Sequence, residues 1–397
     1  MTWSAWLVET TTGAVGPQVP LAAGGSWEIT LNGIESWTLS LPDRWLDTVP
    51  RRWWNKWQAS ALICHSCPLW PEDHPWVLGP VTSVPKASTV TSADKQKTVI
   101  DTLSGTGLRE ILRWRKITGV VDWTSNDALD ALKNSVATFT GMSLGTIQEE
   151  IVRLAIARKA GRLPIRFDER WRQTGLAQDD GHTRNYEGWN VANNDADKLI
   201  TELSEVIGGP DFMLRPGLDT RADDVWRAYA TCLHGLEGQP WLPQERQIVW
   251  DATAPNGPVY GLDPAADAGG IRTRRWATGA GEGAGIAMQV SEDDGALADG
   301  MPLLEQSAAY QSVTNLPPLL DHAQADLAAS SKPTVQLDLK VRGDHPQAVV
   351  GSWHVGDRVQ VITPRLRDLD AGEHLMTIIS ARGGLDSEEI AVQLQED

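Results

Sequence analysis

Phenylalanine and tyrosine are nearly missing from this chain. Its 397 residues hold 3 Phe and 4 Tyr. Cysteine is as scarce, at 3, and an odd number in a long chain implies no disulfide framework. Positive charge is short as well: 35 Lys and Arg stand against 52 Asp and Glu, a formal net charge of −17. That shortage opposes duplex nucleic acid binding, which needs cations to displace counterions, and docking on an anionic membrane. No apolar run reaches the roughly 18 residues of a membrane-spanning helix. The first ten residues, M-T-W-S-A-W-L-V-E-T, lack the basic and apolar regions of an export signal. The expectation is a protein made in the cytoplasm, without a membrane span.

Tryptophan fills the aromatic gap, at 19 residues. It has replaced Phe and Tyr as large filler, which reads first as core and interface packing. A sharper reading is saccharide stacking, in an adhesin using Trp53, Trp54, Trp57, Trp70 and Trp76. The length suits two or three domains, each with its own core.

An alternating hairpin opens the chain. In W-E-I-T-L-N-G-I-E-S-W-T-L-S-L-P, from Trp27, the residues Trp27, Ile29 and Leu31 share one strand face, and Trp37, Leu39 and Leu41 share the next. Asn32-Gly33 opens the loop, because both residues tolerate positive φ, and Pro42 removes a ladder donor. Residues 1–117 continue as β, with strands at 3–9, 59–63, 76–81 and 97–103 and a helical turn at 108–114. Residues 118–245 shift toward helix, with a short helix at 127–133. Thr146 and Glu149 form a capping box for a helix carrying Ile147, Ile151, Leu154 and Ala155, closed by Gly161. Asn194 or Asp195 caps another, carrying Leu199, Ile200, Leu203, Val206 and Ile207 and stopped by Gly208-Gly209-Pro210. Residues 246–397 return to β, with strands at 247–250, 270–278, 334–341, 358–363, 374–381 and 389–394. One helix, 319–329, ends at Ser330-Ser331-Lys332-Pro333.

Three motifs could carry chemistry. Gly141-Met142-Ser143-Leu144-Gly145 matches the G-x-S-x-G elbow of serine hydrolases, with His234 and Asp211 or Asp251 as conceivable partners. The elbow needs its helix to start directly after the serine, whereas the capping box sets the start at Thr146. The upstream chain also reads as antiparallel hairpins, so Ser143 reads as part of a small-residue loop. Cys64-His65-Ser66-Cys67 is half of a four-ligand site, with Cys232, His234 and His74 as the remaining candidates. The expectation is partly buried thiols and no bound metal. Gly279 to Gly285 is glycine-rich but lacks the Lys-Ser/Thr of a phosphate loop. No catalytic, cofactor-binding or metal-ligating residue is assigned, and the chain is not expected to be an enzyme.

Several segments in order resemble the hub, or minor tail, proteins at the tail tip of actinobacteriophage siphoviruses, relatives of contractile-phage baseplate hubs and type VI secretion spike bases. They are the hairpin ending in Leu39-Ser40-Leu41-Pro42; Leu78-Gly79-Pro80-Val81-Thr82 with Val99 to Gly105; the Thr146–Ala160 helix; Lys198 to Phe212; and Val355-Gly356-Asp357-Arg358-Val359 with Thr377 to Ser380. The resemblance implies an α+β, β-rich fold with two antiparallel β-barrel-like tube domains, 1–117 and 246–397, around an embedded helical region, 118–245. It implies a homotrimer in the virion that closes the tail tube and serves host cell entry. Its implied partners are a distal tail ring, a tape measure, and fibre or spike proteins, with DNA passing the lumen unbound. The lytic domain of some relatives has no counterpart before Asp397. The acidic balance suits a lumen that repels DNA, with Arg272, Arg274 and Arg275 turned toward protein partners.

Overall fold

The computed structural model describes residues 3–396 apart from 85–87, 92–96, 121–126, 178–180, 207, 223–224, 268, 280, 282, 311–315, 332–333 and 367–368. Ile207, Ala280, Glu282 and the Lys332-Pro333 stop thus lie outside the described residues. Strands predominate, in large antiparallel sheets.

The opening hairpin forms as its alternation predicts. Ser26–Thr30 pairs with Ser36–Pro42, Trp27 lies opposite Trp37, and Trp27, Ile29, Trp37, Leu39 and Leu41 are buried. Of the Asn-Gly pair, Asn32 is the left-handed residue, at φ 58°. From Ser36–Pro42 the sheet runs through Lys97–Thr106, Trp70–Ser83, Ala59–Cys67 and Trp3–Glu9 to Val15–Val19. From Ser26–Thr30 it runs the other way, into Gly372–Gly384, with Ile29 opposite Ala381. Glu389–Glu396, Thr334–Arg342 and Val259–Asp267 follow, and Arg358–Thr363 and Ile248–Asp251 branch from Gly372–Gly384. One 14-stranded sheet therefore draws on both ends of the chain.

Two cores lie on opposite sides of the N-terminal part of this sheet. Ala59, Ala61 and Ile63 face the first, and Leu62 and Cys64 face the second. A strand buried on both faces loses the polar alternation of a surface strand, which explains the small and apolar run at 59–64. The first core also takes in Trp250, Leu337, Trp353 and Ile378, and the second takes in the helices of the middle region.

That middle region holds the helices Asp127–Lys133, Leu144–Ala157 and Ala196–Ser204. The second ends before Gly161: Arg158 is already extended, and the left-handed residue is Ala160, at φ 58°. The third buries Leu199, Ile200 and Leu203 but leaves Val206 exposed. The sequence reading missed the long hairpin of Phe212–Ala222 and Val225–His234, where charged residues interrupt the alternation. A smaller sheet of Arg274–Thr278, Met288–Glu292 and Glu305–Ala309 packs on the Leu316–Ser330 helix. Its last two strands were also missed, being short and weakly apolar.

Candidate functional site: a junction of three segments

The segments singled out in the sequence converge on one junction. Asn32, at the tip of the opening hairpin, donates to the Asp211 carboxylate at 2.8 Å and accepts the Phe212 amide at 2.7 Å. Arg215, on the strand begun by Phe212, donates to Asp357 at 3.0 Å. Asp357 also accepts the backbone amide of His354 at 2.8 Å, so one carboxylate closes its own turn and holds the middle region. Burial raises the Asp357 carboxyl above its usual range, against the pull of Arg215. Gly356 sits at φ 90°, and a Cβ there would meet Leu242 at 2.4 Å and Leu31 at 3.1 Å, so the turn needs glycine on both counts. Gln244 extends the adjacent strand: its amide accepts from the Arg358 N–H at 2.8 Å and donates to the Arg358 carbonyl at 2.9 Å. Periodicity gives no sign of Arg215 or Gln244, because neither belongs to an apolar pattern.

Beneath the junction runs a chain of tryptophans. Trp3, Trp27, Trp76, Trp353 and Trp250 follow one another with ring centroids 5.5, 5.5, 5.2 and 5.4 Å apart, three of the four contacts edge-on. This edge-to-face geometry suits the ring quadrupole. His354 stacks on Trp76 at 5.5 Å. Burial, with Arg215 nearby, holds its imidazole well below the ordinary range, so it packs as a neutral ring. The arrangement locks segments from both ends of the chain to the middle region.

Ser143 requires a correction. The helix starts at Leu144, directly after the serine, and not at Thr146. The displaced start therefore does not separate this loop from an elbow. Other geometry does. Ser143 is fully buried as the N-cap, at φ −65°, ψ 156°. Its hydroxyl donates to Thr146 Oγ1 at 3.0 Å and accepts the Thr146 amide at 3.2 Å. The preceding strand, Val136–Met142, lies in a two-stranded antiparallel sheet. His234 packs against Gly145, yet its Nδ1 faces the Gly235 carbonyl at 2.9 Å and its Nε2 lies 3.4 Å from Glu149.

Cys64 lies in the second core, while His65 turns the other way, onto the Trp3 ring at 4.6 Å, with Glu388 at 2.9 Å. Burial pushes the Cys64 and Cys232 thiols up, away from the thiolate a metal needs. Among the described residues no three His, Cys, Asp or Glu side chains gather as metal ligands. The five tryptophans of the adhesin reading do not form a surface. Trp76 is core, Trp53 and Trp54 pack on it, Trp70 lies against His74, and Trp57 is the exposed one. Arg274 pairs with Glu292 and Glu305, Arg275 with Asp326, and Arg272 with the Gly269 and Ile271 carbonyls. Each of these arginines thus has a partner within the chain, while the Arg275 Nε is buried without one. No described helix is long and apolar enough to cross a membrane.

The fold is similar to that of phage tail proteins of known structure. Its likeness to a tail protein from Neisseria meningitidis covers 100% of this chain and 97% of that one, at 13% identity and a TM-score of 0.53. A tail protein of prophage MuSo2 from Shewanella oneidensis matches over 98% of each chain, at 9% identity and a TM-score of 0.54. A prophage tail protein from Listeria monocytogenes matches over 99% of this chain and 94% of that one, at 9% identity and a TM-score of 0.50. No family model matches the sequence, and no curated protein does.

Proposed function

We propose that this protein is a structural subunit of a phage tail tip, a baseplate-hub or minor tail protein that closes the tail tube and joins it to the adhesion apparatus. The observation that carries this reading is the likeness to three tail proteins over nearly the whole of each chain. The Asn32, Arg215 and Asp357 junction supports it, because a tube wall under load needs its parts locked together. In this reading the chain forms a homotrimer. Regions 1–117 and 246–397 supply two barrel-like tube domains, and 118–245 is the helical region embedded between them. The role is structural and not catalytic. Partners are the distal tail ring, the tape measure, and fibre or spike proteins, and DNA passes through the lumen without specific binding. The protein is made in the host cytoplasm and resides in the virion. Light-scattering mass and negative-stain images of the purified chain test it, together with antibody labelling of particles. A three-subunit ring and label at the tail tip are expected. A monomer, with label absent from the tail, would overturn the proposal.

A further inference from the structure

Beside the second core, a cavity of about 400 Å³ is lined by the N-terminal strands and by the hairpin of Phe212–Ala222 and Val225–His234. Trp6, on the Trp3–Glu9 strand, and Trp226, on the hairpin, both line it. Val15, Leu62 and Leu218 supply further apolar wall. The hairpin is fixed there by the Ala228 amide, which donates to the Gly13 carbonyl at 2.8 Å, and by the bridge between Ala14 and Arg227. Among the described residues, Asp73 is the charged residue that lines the cavity. It is half-buried and takes the Ser4 hydroxyl at 3.4 Å, and among the described residues no Lys, Arg or His lies within ion-pair distance of it. Its neighbour His74 turns onto the Trp70 ring at 3.9 Å, and burial lowers its affinity for a proton.

We propose that this cavity binds an organic ammonium cation, with Asp73 as counter-ion and the Trp6 and Trp226 rings as its walls. The volume is in the range of small-ligand sites. Indole faces attract a cation through their quadrupole, more strongly where water is excluded. The apolar wall accepts the methyl or methylene groups around the nitrogen. An anion would meet the Asp73 carboxylate. A metal ion needs several oxygen, nitrogen or sulfur ligands, and among the described lining residues one carboxylate is present. A saccharide needs polar groups for its many hydroxyls, and apolar wall would leave them unpaired. The chemistry left is a charged nitrogen on a small apolar body. The assignment does not depend on the tail reading.

Titration of the full chain with tetramethylammonium and choline chloride, followed by calorimetry and ligand-observed saturation-transfer NMR, tests the site. Sodium chloride and glucose serve as controls. Both cations should bind and the controls should not. Asp73→Asn and Trp226→Leu should each weaken binding about tenfold. Trp226 is 39% exposed, so its replacement leaves the fold intact even if Asp73→Asn disturbs it. Phosphocholine separates the sources: equal binding assigns a phosphorylated headgroup, and weaker binding a free amine. Absence of saturation transfer from both cations, glucose binding in their place, or unchanged affinity in Trp226→Leu would overturn the proposal.

Discussion

Asn32 and Phe212 are joined by a hydrogen bond of 2.7 Å, in which a side-chain carbonyl in the first hairpin takes the backbone amide that opens a strand of the middle region. The other half of the same Asn32 amide donates to Asp211. One residue thus fixes two consecutive positions far along the chain, and it does so from a left-handed backbone that asparagine tolerates.

Asn32→Gly keeps that backbone and removes both bonds, leaving the Phe212 amide unpaired. We expect a loss of about 2 kcal/mol in a denaturant titration. Asn32→Ala should lose more, because alanine adds left-handed strain.

Truncation within the tryptophan chain should be far more severe. Trp76 touches Trp27, Trp353 and His354 and is almost fully buried. Trp76→Ala should destabilise by about 3–5 kcal/mol, read as a fall in the thermal midpoint, whereas truncation of exposed Trp57 should change little.

Glu35 gives a pH signature. Burial raises its carboxyl to about 7, against its own backbone amide and Arg109. The unfolded chain loses this proton near pH 4.5, so between there and pH 7 the folded state holds a proton that the unfolded state has released. Stability should therefore fall as pH rises through that window, by about 3 kcal/mol from this group, and level off above it. Denaturation of Glu35→Gln across the same range should lack this component of the slope and show a higher midpoint than the parent at pH 8.

Ser143→Ala removes a buried N-cap and should cost about 1 kcal/mol of stability without affecting assembly. A fluorophosphonate probe should leave Ser143 unlabelled, and stoichiometric labelling would restore the hydrolase reading.

In an assembled ring, the lumen-facing residues should be net acidic or neutral, since a basic wall would hold DNA through many phosphates. A ring structure whose narrowest section is lined mainly by Lys and Arg would reject this.

Local pattern alone determined a good deal of this protein. The period-two alternation of Trp27 to Leu41 and of Arg358 to Thr363 marked both as strands, because side chains on a strand alternate faces whatever the partner. The excess of Trp over Phe and Tyr announced large aromatic filler, and five of those tryptophans form the core chain. Tertiary structure alone decided which strands met. The pairing of Ile29 with Ala381, the reach of Asn32 to Phe212, and the bond between Arg215 and Asp357 join positions that no local window contains. It also decided the start of the Leu144–Ala157 helix, where the Ser143 hydroxyl took the amide of Thr146, the residue that the local capping pattern had made the cap itself. Hydrophobic alternation says that a face must be buried; what it is buried against is set by chain topology, since apolar contact is non-directional and favours any partner the fold brings near.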